Sequence, residues 1–183
     1  MSAIVWVLVG ATAWTFIEYA LHNWYGHKSR GRNDFSREHL KHHAVFEYFT
    51  ATAKKLATAV PVITLFGAAI VLLLGVVDGL AFTFGFAVMY TTYEVLHRRI
   101  HTHAPTNGYG RWARMHHLYH HFGNSKMNHG VTTPIWDMVF GTYVRPETIR
   151  VPSRHVMRWL RDPSTGEVAT PHSADYHIAD QSS

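Results

Sequence analysis

The sequence predicts an all-α integral membrane fold: about three transmembrane helices under a histidine-rich helical cap. Three observations predict it. Apolar residues make up 47% of the chain, yet they collect in three runs, at about 3–21, 56–77 and 80–96. All 17 Lys and Arg fall between positions 28 and 55 or between 98 and 161. Most of the 16 histidines gather in clusters that follow the ends of the first and third runs.

The first run is about 19 residues, or roughly 28 Å of helix, close to the hydrocarbon thickness of a bilayer. It has no basic leader and no small-residue cleavage site, which reads as a retained span rather than a signal peptide. Trp14, Tyr19, Trp24 and Tyr25 suit an interfacial belt. Glu18 precedes His22 by four residues, so the two share a helical face. His22 and His27 are five apart and do not share one. Gly26 predicts a helix break that lets His27 swing inward.

Residues 31–34 read as a turn. A helix beginning near Ser36 carries His39, His42 and His43, with Phe46, Tyr48 and Phe49 at the membrane surface or against the spans. The second run has Pro61 near its start, where a helix tolerates it. Asp78-Gly79 is a tight-turn signal, so the second and third runs read as a hairpin. The third run closes on Tyr90, Tyr93 and Glu94, then His97-Arg98-Arg99-Ile100-His101. A helix over about 111–122 carries His116, His117, His120 and His121 and stops at Gly123. Thr133-Pro134 starts a short helix over 135–140, ended by Gly141. Residues 142–162 are basic and are expected along the membrane surface. One membrane-embedded domain over 1–162 and a flexible polar tail over 163–183 complete the division.

With no cysteine, disulfides, thiolate metal sites and cysteine nucleophiles are excluded. The net charge of +5 is not spread over a soluble surface, which removes the nucleic-acid reading. Basic residues confined to two segments follow the positive-inside pattern. Two crossings separate the first pair of clusters from the second, so all four lie on one side. That side is the cytosol, with the N-terminus outside.

The chemistry lies in the spacing. His39, His42 and His43 repeat the H-x-x-H-H pattern of His117, His120 and His121, and positions three and four apart share a helical face. His97 and His101 are four apart. With His22 and His27 this makes ten imidazoles aimed inward. A single H-x-x-x-H pair arises often by chance, but four clusters on one membrane face mark a metal site. Ten ligands exceed what one ion takes, so two metals are expected, iron or zinc. His103, His116 and His129 stand as further ligands or neighbours. Glu18, Glu94 and Asp137 stand as acids that orient the imidazoles. Isolated acids at span ends are costly and argue for a role. Glu38 reads as a solvated helix-start acid, and His155, His172 and His177 as tail residues. A metal transporter would hold its ligands near the bilayer midplane, whereas these follow the spans.

The order H-x4-H, H-x2-H-H, H-x3-H, H-x2-H-H, followed by Gly130-Val131-Thr132-Thr133 and Trp136-Asp137-Met138-Val139-Phe140-Gly141-Thr142, resembles the fatty acid hydroxylase superfamily over roughly residues 15–145. That superfamily includes fatty acid 2-hydroxylases, sterol C-4 methyl oxidases and sterol C-5 desaturases. The ending Trp136-Asp137…Phe140-Gly141-Thr142 resembles the fatty acid and ceramide 2-hydroxylase branch most. The resemblance implies a membrane-bound oxidoreductase with two iron ions and O2-dependent C–H oxidation of a membrane lipid. Zinc is an expected occupant of purified samples. The family's ligands map onto His22, His27, His39, His42, His43, His97, His101, His117, His120 and His121. No group separate from those ligands is expected to be catalytic. Some relatives carry a fused cytochrome b5 domain. This chain has no room for one, so electrons are expected from a separate cytochrome b5, ferredoxin or reductase. Several relatives have four spans, and this chain begins at what corresponds to their second. A sterol or fatty acyl desaturase, or a carotenoid hydroxylase, shares the same scaffold. The non-enzyme alternative is a membrane metal-binding protein.

Overall fold

The structure is a computed structural model that describes residues 2–179. It is mostly helical. Helix α1 runs Ala3–Ala20 and continues without a break into a π-helix, Leu21–His27. Helices α2 (Asp34–Ala44), α3 (Thr52–Leu74), α4 (Val76–Thr102), α5 (Gly108–Phe122) and α6 (Ile135–Val139) follow. Two short strands, β1 (Ile149–Pro152) and β2 (Tyr176–Ala179), close the chain.

Two helical stretches, Ala3–His27 and Thr52–Leu74, are long and apolar enough to cross a membrane. Their apolar side chains point outward, with Leu8, Leu65, Leu72 and Leu73 exposed. That is the pattern of helices whose solvent is lipid. α1 and α4 run side by side in one direction. A Cβ at Gly10 would lie 2.0 Å from the Phe82 carbonyl oxygen, and one at Gly85 would lie 2.0 Å from that of Val7. Only glycine admits so close a backbone approach. One turn further along, Trp14 packs edge-on against Phe86 and Tyr90. The parallel pairing brings the far ends of both helices, with His22 and His97, into one place.

The hairpin turn between α3 and α4 falls at Gly75, not at Asp78-Gly79 as the turn signal predicts. Gly75 has φ +85°, a left-handed conformation that glycine adopts without strain. Asp78 therefore lies in the first turn of α4, where an acid meets the positive end of the helix dipole. Gly79 serves packing instead: its missing Cβ leaves room for the Val71 backbone.

The cap consists of α2, α5 and the chain after Thr102. Asn33 caps α2 by accepting from the Ser36 amide at 2.7 Å, so the helix starts two residues before Ser36. Asn107 caps α5 in the same way through Gly110. The strands depart from the all-α expectation. β1 pairs in parallel with β2, Ile149 opposite Tyr176 and Val151 opposite Ile178. Ile149, Val151, Leu160 and Tyr176 are buried in one core with Ile100 and Leu118. Arg111 donates two hydrogen bonds to the Asp175 carboxylate, at 2.6 and 2.5 Å. The 142–162 segment thus packs on α5. The stretch expected to be a loose tail folds back onto it as far as Ala179, and positions 180–183 lie outside the described residues. Four-residue strands 27 positions apart leave no periodic signal, which is why the sequence conceals them.

Candidate metal centre

The ten predicted histidines come together as two groups of five. His22, His27, His39, His43 and His120 offer nitrogens within 4.8 Å of one another. So do His42, His97, His101, His117 and His121. Each H-x-x-H-H motif is split between the two. His39 and His43, four apart, face the first site while His42 faces the second. His117 and His121 face the second while His120 faces the first. The sites adjoin: the rings of His43 and His121 stack with centroids 4.1 Å apart.

His27 reaches its site by a route the sequence reading missed. The helix does not break at Gly26. It widens to π geometry over Leu21–His27, in which hydrogen bonds run from i to i+5 and residues five apart share a face. Gly26 is required for another reason. A Cβ there would lie 3.1 Å from the His39 ring, so the glycine lets α2 approach.

Ring nitrogens face ring nitrogens at close range. In the first site His27 Nε2 is 2.8 Å from His39 Nε2 and 2.9 Å from His120 Nε2, which is 3.1 Å from His43 Nε2. In the second, His117 Nε2 is 3.0 Å from His101 Nε2 and 3.1 Å from His121 Nε2. Nδ1 of His22, His42, His101 and His120 donates to the carbonyls of His129, Tyr48, Phe46 and Met127, at 2.5, 2.6, 3.2 and 2.7 Å. A carbonyl only accepts, so those Nδ1 atoms carry the proton and each Nε2 presents a lone pair inward. Nε2 of His22, His42 and His97 is buried with no hydrogen-bond partner. Converging lone pairs repel unless a cation lies among them. Ligands at right angles on a metal with bonds of about 2.1 Å are about 3 Å apart, which is the spacing found. The residues fit a metal pair.

The sites are buried or half-buried, and burial sets their charge. It pushes the imidazole of His42 down to about 4 and that of His43 down to about 2. Burial, then the charge of neighbouring histidines, holds His39, His117, His120 and His121 well below the ordinary value. All are neutral at pH 7, the form that binds metal.

The supporting layer separates the remaining candidates. Glu18, buried, accepts the Val131 and Thr132 amides at 2.5 and 2.9 Å and the Thr132 hydroxyl at 2.8 Å. Asp137, also buried, accepts the His129 and Gly130 amides and the Thr142 hydroxyl, and lies 3.1 Å from His116 Nε2. Burial raises its carboxyl, but the bonds from His116, Gly130, Thr142 and His129 more than offset that and hold it below its ordinary value. The two acids thus fix the 129–132 loop, whose His129 carbonyl orients His22. Neither carboxylate is among the grouped ligands. His129 borders the first site with its ring 5.0 Å from that of His120. His116 serves Asp137. Glu94 pairs with Lys55 at 2.5 Å. His103 is exposed and bonds Thr102.

Glu38 is no mere solvated acid. It accepts from Tyr48, from Thr50 at 3.2 Å and from Lys54 at 2.6 Å, tying down the loop whose carbonyls orient His42 and His101. The bonds from Lys54 and Tyr48 hold its carboxyl down to about 2. Asn128, missed by sequence reasoning, is buried with φ 58° and holds Val144 through both its amide and its carbonyl oxygen. An Asn in a His-Gly turn was its only signal. The supporting carbonyls of Phe46, Tyr48 and Met127 left none.

Long apolar helices that end in two convergent histidine groups define a helical protein with membrane-span candidates and a histidine-rich cap that could hold metal ions. The chain belongs to the fatty acid hydroxylase family, whose model, described as Fatty acid hydroxylase, matches residues 7–142. It is similar to the ceramide very long chain fatty acid hydroxylase scs7 of Schizosaccharomyces pombe, 28% identical over 147 residues, 76% of this chain and 42% of the relative. It is also similar to the dihydroceramide fatty acyl 2-hydroxylase FAH1 of Arabidopsis thaliana, 29% identical over 142 residues, 74% of this chain and 59% of the relative. A solved structure titled full length scs7p, with only the hydroxylase domain visible, matches with a TM-score of 0.64 and 27% identity, over 80% of this chain and 58% of that one. The chain therefore spans about two fifths of the first relative's length and three fifths of the second's.

Proposed function

We propose that the chain is a membrane lipid hydroxylase that inserts one oxygen atom of O2 into a C–H bond of a fatty acyl group. The observation that carries this reading is the pair of five-imidazole sites within a fatty acid hydroxylase chain. The relatives named for ceramide, dihydroceramide and fatty acyl substrates supply the substrate class.

The ten grouped histidines would hold two iron ions, which when bound supply the O2-dependent oxidation of the C–H bond. The chain's own groups do the rest. The carbonyls of His129, Met127, Phe46 and Tyr48 fix which nitrogen of four rings points inward. Burial keeps the rings unprotonated and excludes water. The apolar run of α4 makes a third span, so the N-terminus lies outside and the cap lies in the cytosol. α4 then carries His97 and His101 directly out of the bilayer.

A cleft of about 230 Å³ between the starts of α3 and the end of α4 is lined by Phe49, Leu56, Tyr90 and Val95. Lys55 and Glu94 pair on its wall. The Phe49 ring also lies 5.1 Å from that of His42 and 5.4 Å from that of His101. An acyl chain entering from lipid meets this cleft first, with Phe49 between it and the second site. Two electrons and two protons are needed per turnover, because the second oxygen atom leaves as water. A separate electron donor supplies the electrons.

The test is lipid mass spectrometry on cells that express the wild type or His120→Ala together with a reductase. An acyl lipid that gains one oxygen only with the wild type is the expected result. A lipid that loses two hydrogens instead would make the chain a desaturase. Identical lipids in both strains, with iron bound in the wild type, would sink the reading.

A further inference from the structure

A groove of about 600 Å³ opens on the cap between the 44–49 loop, the end of α4 and the 154–158 segment. Its rim carries Arg98, Arg154 and Arg158, all exposed, against one exposed acid, Glu47. Among the described residues none of the three arginines forms an ion pair. Arg98 lies over the Phe49 ring, and Arg154 donates to His155 at 3.1 Å. The groove is therefore a cationic surface with no ion-pair partner for its arginines among the described residues, at the cap end of α4.

Its floor is aromatic and leads inward. The half-buried His155 ring lies 6.0 Å from Phe122 and 6.2 Å from Phe46. Phe46 is buried and lies 4.2 Å from His101 and 5.4 Å from His121, both of the second histidine site. No step in this series exceeds 6.2 Å between ring centroids. The first site is reached only one ring further on, through His121 and His43, 4.1 Å apart.

We propose that the groove is the docking surface of a small acidic protein that carries one electron at a time, with His155 and Phe46 as the way in to the second histidine site. The proposal rests on the hydroxylase reading, which needs an electron source. Charge complementarity selects the partner: three unpaired guanidinium groups steer an acidic face and repel a basic one. The electron count agrees. Each encounter oxidises the carrier by one electron, and two encounters supply the two electrons that, with two protons, reduce the second oxygen atom of O2 to water.

The experiment uses the full chain in nanodiscs of neutral lipid. The probe is a soluble acidic cytochrome b5 domain, and basic cytochrome c is the control. Binding is measured on both metal-free and iron-loaded protein. The cytochrome b5 domain is expected to bind with a Kd that rises at least tenfold between low and physiological salt, and cytochrome c is not. Arg154→Glu/Arg158→Glu should weaken binding about tenfold or more, and Arg98→Gln, a milder change, a few-fold. His155→Leu should leave binding intact but slow oxidation of the reduced carrier haem, while reduction by dithionite is unchanged. Salt-independent binding, or full binding by the doubly reversed variant, overturns the docking surface. An unchanged rate in His155→Leu overturns the path. Lipid analysis with dithionite as the reductant keeps the two readings apart. Salt-sensitive binding with no oxidised lipid leaves the surface standing and removes the hydroxylase reading.

Discussion

The two histidine sites contain five imidazoles each, yet they are held by opposite means. The first takes one pair of ligands from a π-helix and is braced from within. Glu18 and Asp137, both buried, grip the backbone of the 129–132 loop, and the loop's carbonyl orients His22. The second site is braced from the surface. Its supporting carbonyls belong to Phe46 and Tyr48, on a loop tied down by Glu38 and Lys54 at a partly exposed position. Buried carboxylates that accept several backbone amides are rigid and strongly coupled to their surroundings. Exposed ion pairs contribute little. The first site is thus built to be stiff. The second, beside the lipid cleft and the basic groove, is the one whose support can yield.

The largest effects should come from the ligands themselves. His120→Ala removes a ligand from the first site and His42→Ala one from the second. Each should lower bound metal from about two ions per chain to about one and abolish lipid oxidation, with membrane insertion intact. Metal analysis and fractionation read this directly. Two ions retained in either variant would remove that histidine from its ligand set. Loss of both ions would show that the adjoining sites fill as one unit.

Next come the internal braces. Glu18→Gln replaces an acceptor-only carboxylate with an amide that can accept at one atom alone. Metal affinity at the first site should fall about 10–100-fold, the usual cost of losing a group behind a ligand, with the second site unchanged. Equal weakening of both sites would erase the distinction drawn between them.

Acid should act on both sites together. Burial holds His42, in the second site, and His129, bordering the first, at about 4, against an ordinary 6.5. Between those values the unfolded chain binds more protons than the folded one. The cap's stability is therefore complete above pH 6.5 and declines as the pH falls toward 4. His43, held to about 2, extends the loss further. Circular dichroism and tryptophan fluorescence of metal-free protein in micelles should follow this window. A cap that is indifferent to pH between 6.5 and 4 would contradict the neutral, buried rings.

The smallest effects should be few-fold and site-specific. Gly26→Ala places a Cβ 3.1 Å from the His39 ring and should weaken the first site alone. Glu38→Gln loosens the loop behind His42 and should weaken the second alone. Crossed outcomes would reverse the assignment of braces to sites.

How much of this was legible depends on the distance over which each signal acts. The H-x-x-H-H motifs and the apolar runs act within a turn or two of chain, so spacing exposes them. The ten histidines that the structure gathers into two groups were singled out this way, and so were the acids Glu18 and Asp137. The grip of Glu18 on the Val131 and Thr132 amides was hidden, because a contact between segments more than a hundred residues apart leaves no pattern. The hairpin turn was misplaced by a few residues because Gly75 and Gly79 are both plausible, and only the φ at Gly75 decides. The strands β1 and β2 were not foreseen because each depends on the other and on α5.

By itself, then, the sequence determined a helical chain with apolar runs and with histidines gathered at their ends, ten of them at spacings that let them converge. Those follow from composition and local period. The tertiary structure decided how the ten divide. Each tripartite motif sends its members to both sites, since residues three and four apart on a helix diverge by a fraction of a turn, and two adjoining sites lie within that angle. It also turned a five-residue spacing into a shared face by widening one helix, and it chose which carbonyl holds which ring. Such choices belong to contacts between distant segments, and no local pattern records them.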